Sequence, residues 1–127
     1  MIIRKVAGCE RFIAPDGSLI CELLHPSHEQ GKVPIGYSIA HASVMEGKRT
    51  QRHRLTASEV YYILKGKGEM VVDGERQEVG PGEAIYIPPD SIQFISNQGK
   101  GDLEFLAIVE PPWRKENDHP SSSSDAG

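Results

Sequence analysis

From Ser18 onward the apolar residues come in short runs broken by Gly, Pro, Asp and Asn. Runs of that length predict strands, because a buried strand needs only a few residues whereas a helix needs roughly ten or more. Strands are read at 19–24, 37–45, 59–64, 69–72, 78–79, 84–87, 92–96 and 103–109. Short strands at close spacing, with no helical period between them, predict an all-β sandwich or barrel. The breaks carry their own turn chemistry. Asp73-Gly74 suits a tight hairpin with positive φ, and Gly66, Gly68, Gly80 and Gly82 permit other sharp reversals. Pro88 and Pro89 cannot donate to a ladder, so they should end the 84–87 strand and force a corner before Ile92.

Alternation assigns faces. Tyr61 and Ile63 share the face of Glu59, while Arg52 and Arg54 should point away from the side that His53 occupies. His41 divides the 37–45 run into two mostly apolar sets, Ile39, Ser43 and Met45 against Ala40, Ala42 and Val44, so the pattern leaves its direction open. After the last strand the chain turns polar, with three prolines between Pro111 and Gly127 and a run of serines from Ser121 to Ser124. Such a segment buries too little to order itself, and roughly its last ten residues are set outside the fold. Trp113 should pack back onto the barrel or onto a partner subunit.

Length and charge narrow the classes. At 127 residues the chain suits one domain, read as a barrel with an N-terminal strand segment over 1–112 and a flexible tail over 113–127. A net charge of -4, a pI near 5.7 and the lack of any basic run argue against nucleic acid as a partner. No stretch approaches the roughly 20 apolar residues of a membrane span, and residues 1–5 lack a signal-peptide core. A cytoplasmic location follows as an expectation, with Cys9 and Cys21 as reduced thiols. His25 and His28 sit in a polar loop, where solvated histidines are the default, and His119 belongs to the tail. No nucleophile elbow, phosphate-cradling glycine loop or dinucleotide fingerprint is found.

The most informative stretch runs from Gly47 through His53, Leu55 and Glu59 to Gly66, followed by Gly82, Pro88, Asp90, Gln93 and Asn97. This spacing resembles the two motifs of the cupin superfamily, with Leu55 in place of the second His, Asp90 in place of a Gly and Gln93 in place of the late His. The resemblance implies a double-stranded β-helix, the cupin or jelly-roll barrel, in which His53, Glu59 and Gln93 meet at one end of the barrel with Leu55 filling the fourth corner. It also implies a divalent metal (Fe, Mn, Ni or Zn) on those three residues, with His41 as a further ligand if it faces inward, since some cupins take one from about that position. The alternative for His53 and Glu59 is a hydrogen-bonded polar pair in a barrel that has lost its metal. Tyr61 would serve as a pocket acid or hydrogen-bond donor, or simply as core. The implied function is action on a small polar organic molecule as an oxygenase, isomerase or lyase. The alternative is a non-catalytic barrel that binds or senses a sugar or organic acid. A homodimer is expected, through the N-terminal segment and Trp113.

Overall fold

The computed structural model describes residues 1–27 and 33–121; His28 lies outside them. The chain forms strands β1 (Arg11–Ile13), β2 (Leu19–Leu24), β3 (Ser38–Val44), β4 (His53–Leu55), β5 (Ser58–Lys65), β6 (Gly68–Val72), β7 (Glu75–Val79), β8 (Ala84–Ile87), β9 (Ile92–Asn97), β10 (Leu103–Glu110) and β11 (Asp118–Pro120). A six-stranded sheet runs β1-β2-β3-β10-β5-β8 and a five-stranded sheet runs β11-β4-β9-β6-β7, with antiparallel pairing throughout. This is an all-β barrel, as the strand pattern predicts, in the jelly-roll form that the motif resemblance implies. Among the described residues no helix is long and apolar enough to cross a membrane.

The inward faces of the two sheets meet in a core of Val44, Ile63, Met70, Ile95, Leu103 and Phe105, all nearly or fully buried. Each such side chain stabilises the fold by about 1.5–3 kcal/mol relative to exposure. A second cluster, Leu55, Ala57 and Val109 with Trp113 packed against it, closes the other end.

Motif positions act as backbone devices. Gly66 has φ +92°, and a Cβ there would come within 3.1 Å of the Leu103 Cα, so the first motif ends where only glycine fits. Asp90 stands in place of the family's glycine and still takes φ +65°, the left-handed turn that Asp tolerates better than most residues. Asn97 bonds the Val44 and Gly101 carbonyls and accepts from Gly99 N–H, which pins the corner after β9.

Several features depart from the sequence reading, among them β1 and β4, which it does not contain. β7 begins at Glu75 rather than at residue 78, because its solvent-facing polar residues hide the strand from an apolar count. Cys9 and Cys21 form a disulfide rather than standing as free thiols. The β1–β2 register, Arg11 opposite Cys21, brings their Cα atoms to 5.9 Å, inside bridging range. Within the tail, a 3-10 turn at Lys115–Asn117 leads into β11, which pairs with the free edge of β4. Backbone pairing and two side-chain bonds to Asp118 supply the order that apolar burial would not. Trp113 packs onto its own barrel, with its backbone N–H donating to Ser38 Oγ at 2.9 Å.

Candidate functional site

β4 and β9 pair with His53 directly opposite Gln93, so the two side chains leave the five-stranded sheet on the same face. β5 presents Glu59 from the opposing sheet, and Gln93 Nε2 donates to Glu59 Oε1 at 3.1 Å. The three residues are buried and meet across the barrel interior. The structure does not bring His41 to them. On β3 it is Ser38, Ala40 and Ala42 that line the cavity, so alternation turns His41 to the outer face. There its Nδ1 accepts from Arg11 and its Nε2–H donates to Glu104 at 2.9 Å. Arg54 also points away and pairs with Asp90, while the Arg52 guanidinium lies 5.2 Å from the Phe94 ring centre.

Residues outside the motif complete the site. His53 Nδ1–H donates to Asp118 Oδ1 at 2.9 Å, and Asp118 Oδ2 accepts from Trp113 Nε1–H. On the other side, Asp16 Oδ2 lies 3.4 Å from His53 Nε2, which makes no hydrogen bond in the structure. Asp16 is held by its turn, its Oδ1 accepting from Ser18 N–H and Oγ–H. The imidazole thus sits between two carboxylates, an arrangement suited to its protonated form. Burial works against that charge, but the Asp118 hydrogen bond and the nearby Asp16, Asp118 and Glu59 charges outweigh it, and the His53 pKa is raised. Burial pushes Glu59 up to about 7, although His53 and the Gln93 bond pull the other way.

These groups line a cavity of about 40 Å³, roughly three waters' worth of space. Its floor is the small side chains Ala40 and Ala107, and aromatic rings stand around it: Phe12, Tyr61, Phe105 and Trp113. Tyr61 is buried against Phe105, ring centres 4.3 Å apart. Burial first, then the neighbouring carboxylates, raise its pKa well above 10, so the phenol stays protonated and keeps its O–H as a donor. Glu22 on β2 also lines the cavity, with its Oε1 buried and unpartnered and its pKa raised by burial to about 6.

The donor set can be tested against the divalent metal that the motif implies. Gln93 donates to Glu59 from its amide nitrogen, which leaves Gln93 Oε1 and His53 Nε2 buried without a hydrogen bond, with Asp16 Oδ2 facing the latter. Among the described residues no three His, Cys, Asp or Glu side chains come together in a way that could hold a metal ion. With Leu55 in the second imidazole position as well, the site offers one imidazole, one carboxylate and one neutral amide, a weaker donor set than the four ligands of the motif.

Sequence reasoning missed Asp16, Glu22 and Asp118. Pro15-Asp16-Gly17 carried a turn signal but no hint that the turn folds over the barrel mouth. Glu22 was visible as a lone acid in the apolar run from Leu19 to Leu24. Asp118 had no local signal.

The uncharacterized protein MJ1618 of Methanocaldococcus jannaschii is 42% identical over 107 residues, covering 84% of this chain and 83% of that one. L-ectoine synthase of Bordetella avium is 27% identical over 90 residues, 69% of this chain and 67% of its own. Among solved structures, Pac13, described as a nucleoside dehydratase, superposes with a TM-score of 0.72 at 20% identity, covering 95% of this chain and 91% of its own, a likeness of fold. The Cupin domain family model matches residues 40–109, the span that contains His53, Glu59 and Gln93, and the chain belongs to the cupin family.

Proposed function

We propose that this cupin is an acid–base enzyme of the lyase or isomerase kind, acting on a small polar organic molecule through its own side chains. The observation that carries the reading is the His53 imidazole held between Asp118 and Asp16, with Nε2 unbonded in a cavity that Glu59 also lines. A carboxylate and an imidazolium facing one small volume are a base and an acid with different proton demands. For a β-hydroxy carbonyl substrate, the Glu59 carboxylate takes the proton α to the carbonyl and His53 Nε2–H gives its proton to the departing hydroxyl. One C–H and one C–O bond break, a C=C bond forms and water leaves. Glu59 then carries a proton and His53 is neutral, and solvent exchange restores both. For an isomerisation, the same groups return a proton at the neighbouring carbon. In this reading the Tyr61 O–H donates to a substrate carbonyl. The dehydratase name of Pac13 agrees with the elimination. The expected divalent metal has no part in this reading, and a non-catalytic binding barrel is its main rival. We also propose that the protein works as a homodimer.

The test is a screen of small β-hydroxy carbonyl compounds by proton NMR in D₂O, with metal analysis of tag-free protein. We expect turnover or α-deuteration that resists EDTA and falls at least about 100-fold in His53→Gln and in Glu59→Gln, in line with the loss of a general acid or base. Near-stoichiometric Fe, Mn, Ni or Zn, lost in Glu59→Ala, would overturn the reading in favour of a metalloenzyme. Saturable binding of sugars or organic acids without any exchange would favour the binding barrel.

A further inference from the structure

The carboxyl groups of the cavity are not all accounted for by the acid–base pair. Four of them line it, Asp16, Glu22, Glu59 and Asp118, and among the described lining residues there is no Lys or Arg. Asp16 and Asp118 flank His53, and Glu59 accepts from Gln93. Glu22 is left over.

Its surroundings are specific. The cross-strand row of the six-stranded sheet reads Glu22, Ala40, Ala107, Tyr61, so two methyl groups lie between the carboxylate and the phenol. Three interstrand steps of about 4.8 Å put Glu22 and Tyr61 some 14 Å apart along the backbone, the two ends of a shallow trough. The β2–β3 register slips between Glu22 and Leu24, a bulge of the kind that re-aims a side chain beside a site. The basic group acting on Glu22 is His25, but its ring is already committed. Nε2–H donates to the Trp113 carbonyl at 2.8 Å and Nδ1 accepts from Ser27 N–H, bonds that the neutral ring satisfies in full. A buried, unpartnered carboxylate oxygen is costly and calls for a partner from outside the chain. The same cavity is lined by Trp113, Tyr61, Phe105 and Phe12, and aromatic surroundings favour a cation over a neutral donor.

We propose that the cavity takes a small organic cation, a primary or methylated ammonium compound, and that Glu22 is the carboxylate that holds its charge. The inference rests on the reading of this cavity as the substrate site, and adds that anionic substrates such as phosphate esters and free carboxylic acids are repelled by the remaining acids. Glu22 binds; the proton transfers belong to His53 and Glu59 at the other end of the trough.

The molecule offers its own reporter, since Trp113 is the sole tryptophan and lines the cavity. Full-length protein at pH 8 and constant ionic strength is titrated with n-propylamine, and separately with 1-propanol and with propionate, following tryptophan fluorescence. We expect saturable millimolar binding of n-propylamine, at least tenfold weaker binding of the other two, and a tenfold or greater loss for the amine in Glu22→Gln with partial rescue in Glu22→Asp. The Gln variant removes a poorly solvated charge, so its melting temperature should hold or rise, which keeps the comparison within folded protein. Equal binding of propanol, unchanged amine affinity in Glu22→Gln, or no saturable binding of the amine would each overturn the assignment. Turnover of uncharged compounds without amine preference would sink this inference alone, whereas amine binding with turnover unaffected in His53→Gln would sink the acid–base reading alone.

Discussion

Burial costs Glu59 its ordinary acidity, and that cost can be measured. The unfolded carboxyl titrates near 4.5 and the folded one at about 7, because the side chain is nearly enclosed and the attraction of His53 only partly offsets desolvation. For an acid whose folded pKa is raised, folding is most favoured below pH 4.5, and stability declines as pH climbs from 4.5 to 7. His53, also raised, contributes stability that is present below 6.5 and lost as pH rises through its folded value. Glu59→Gln removes the first effect and keeps an acceptor for Gln93. Its stability gain over the parent should grow from near zero at pH 4.5 to on the order of 2–3 kcal/mol at pH 8. Denaturant midpoints at those two pH values decide it, and parallel pH profiles would show that the carboxyl ionises in the fold at no penalty. The residue is legible in the sequence because the motif spacing fixes its strand and its face. Its environment is not, since two of the carboxylates around it, Asp16 and Asp118, come from a turn and a tail that lie far from it in the sequence.

At the scale of elements, the β1–β2 hairpin shapes the cavity as much as the barrel does. It carries Phe12, Asp16 and Glu22 to the mouth, and the Cys9–Cys21 disulfide ties its outer strand to the sheet. β1 is a three-residue edge strand whose side chains are exposed, too little burial to hold it in place alone. Linking residues 12 apart restricts the unfolded chain by about 2–3 kcal/mol on the loop-entropy account. A Cys9→Ser, Cys21→Ser double variant should therefore unfold at lower guanidinium concentration than the oxidised parent, and thiol reductant should shift the parent but not the variant. Coincident midpoints for all samples would mean that the hairpin is held by its other contacts. In this region β2 was legible from apolar spacing, whereas β1, three exposed residues, was not. The facing of β3 was not, because both of its sides are apolar and only the partner strands decide that Ala40 and Ala42 turn inward and His41 outward. β11 was invisible for a related reason: a short strand that borrows its order from the edge of β4 needs no hydrophobic pattern of its own.

For the whole molecule, the six-stranded sheet leaves its outer face unfilled. Tyr62 and Leu64 alternate outward from Tyr61 and Ile63, Tyr86 lies outside because it pairs opposite Val60, and Ile13 pairs with Leu19 on the same face of the hairpin; all are exposed, Ile13 and Tyr86 by 75% and 64%. Large apolar side chains exposed toward both edges of one sheet face suit a second layer that covers them. Trp113, expected to reach a partner, packs within the chain, while Met1, Ile2 and Ile3 of the N-terminal segment stay exposed, and this face adds a second surface to the case for a homodimer. Two copies related by a twofold axis would each cover the other's patch with the same residues, and the central polar group of Arg11, His41 and Glu104 is already paired within one chain, so burying it leaves these charges compensated. Light scattering after size exclusion should then give a mass of about 28 kDa, twice the 14.0 kDa chain. A Leu64→Lys, Tyr86→Lys double variant places two cations on each side of the twofold, and should run as a folded monomer with unchanged circular dichroism. A parent of 14 kDa at micromolar concentration, or a dimer that survives both lysines, would remove this face from the account. Because Glu22, Ala40, Ala107 and Tyr61 lie on the inner face of the same sheet, a monomeric variant that still binds n-propylamine would show that the cavity is complete within one chain.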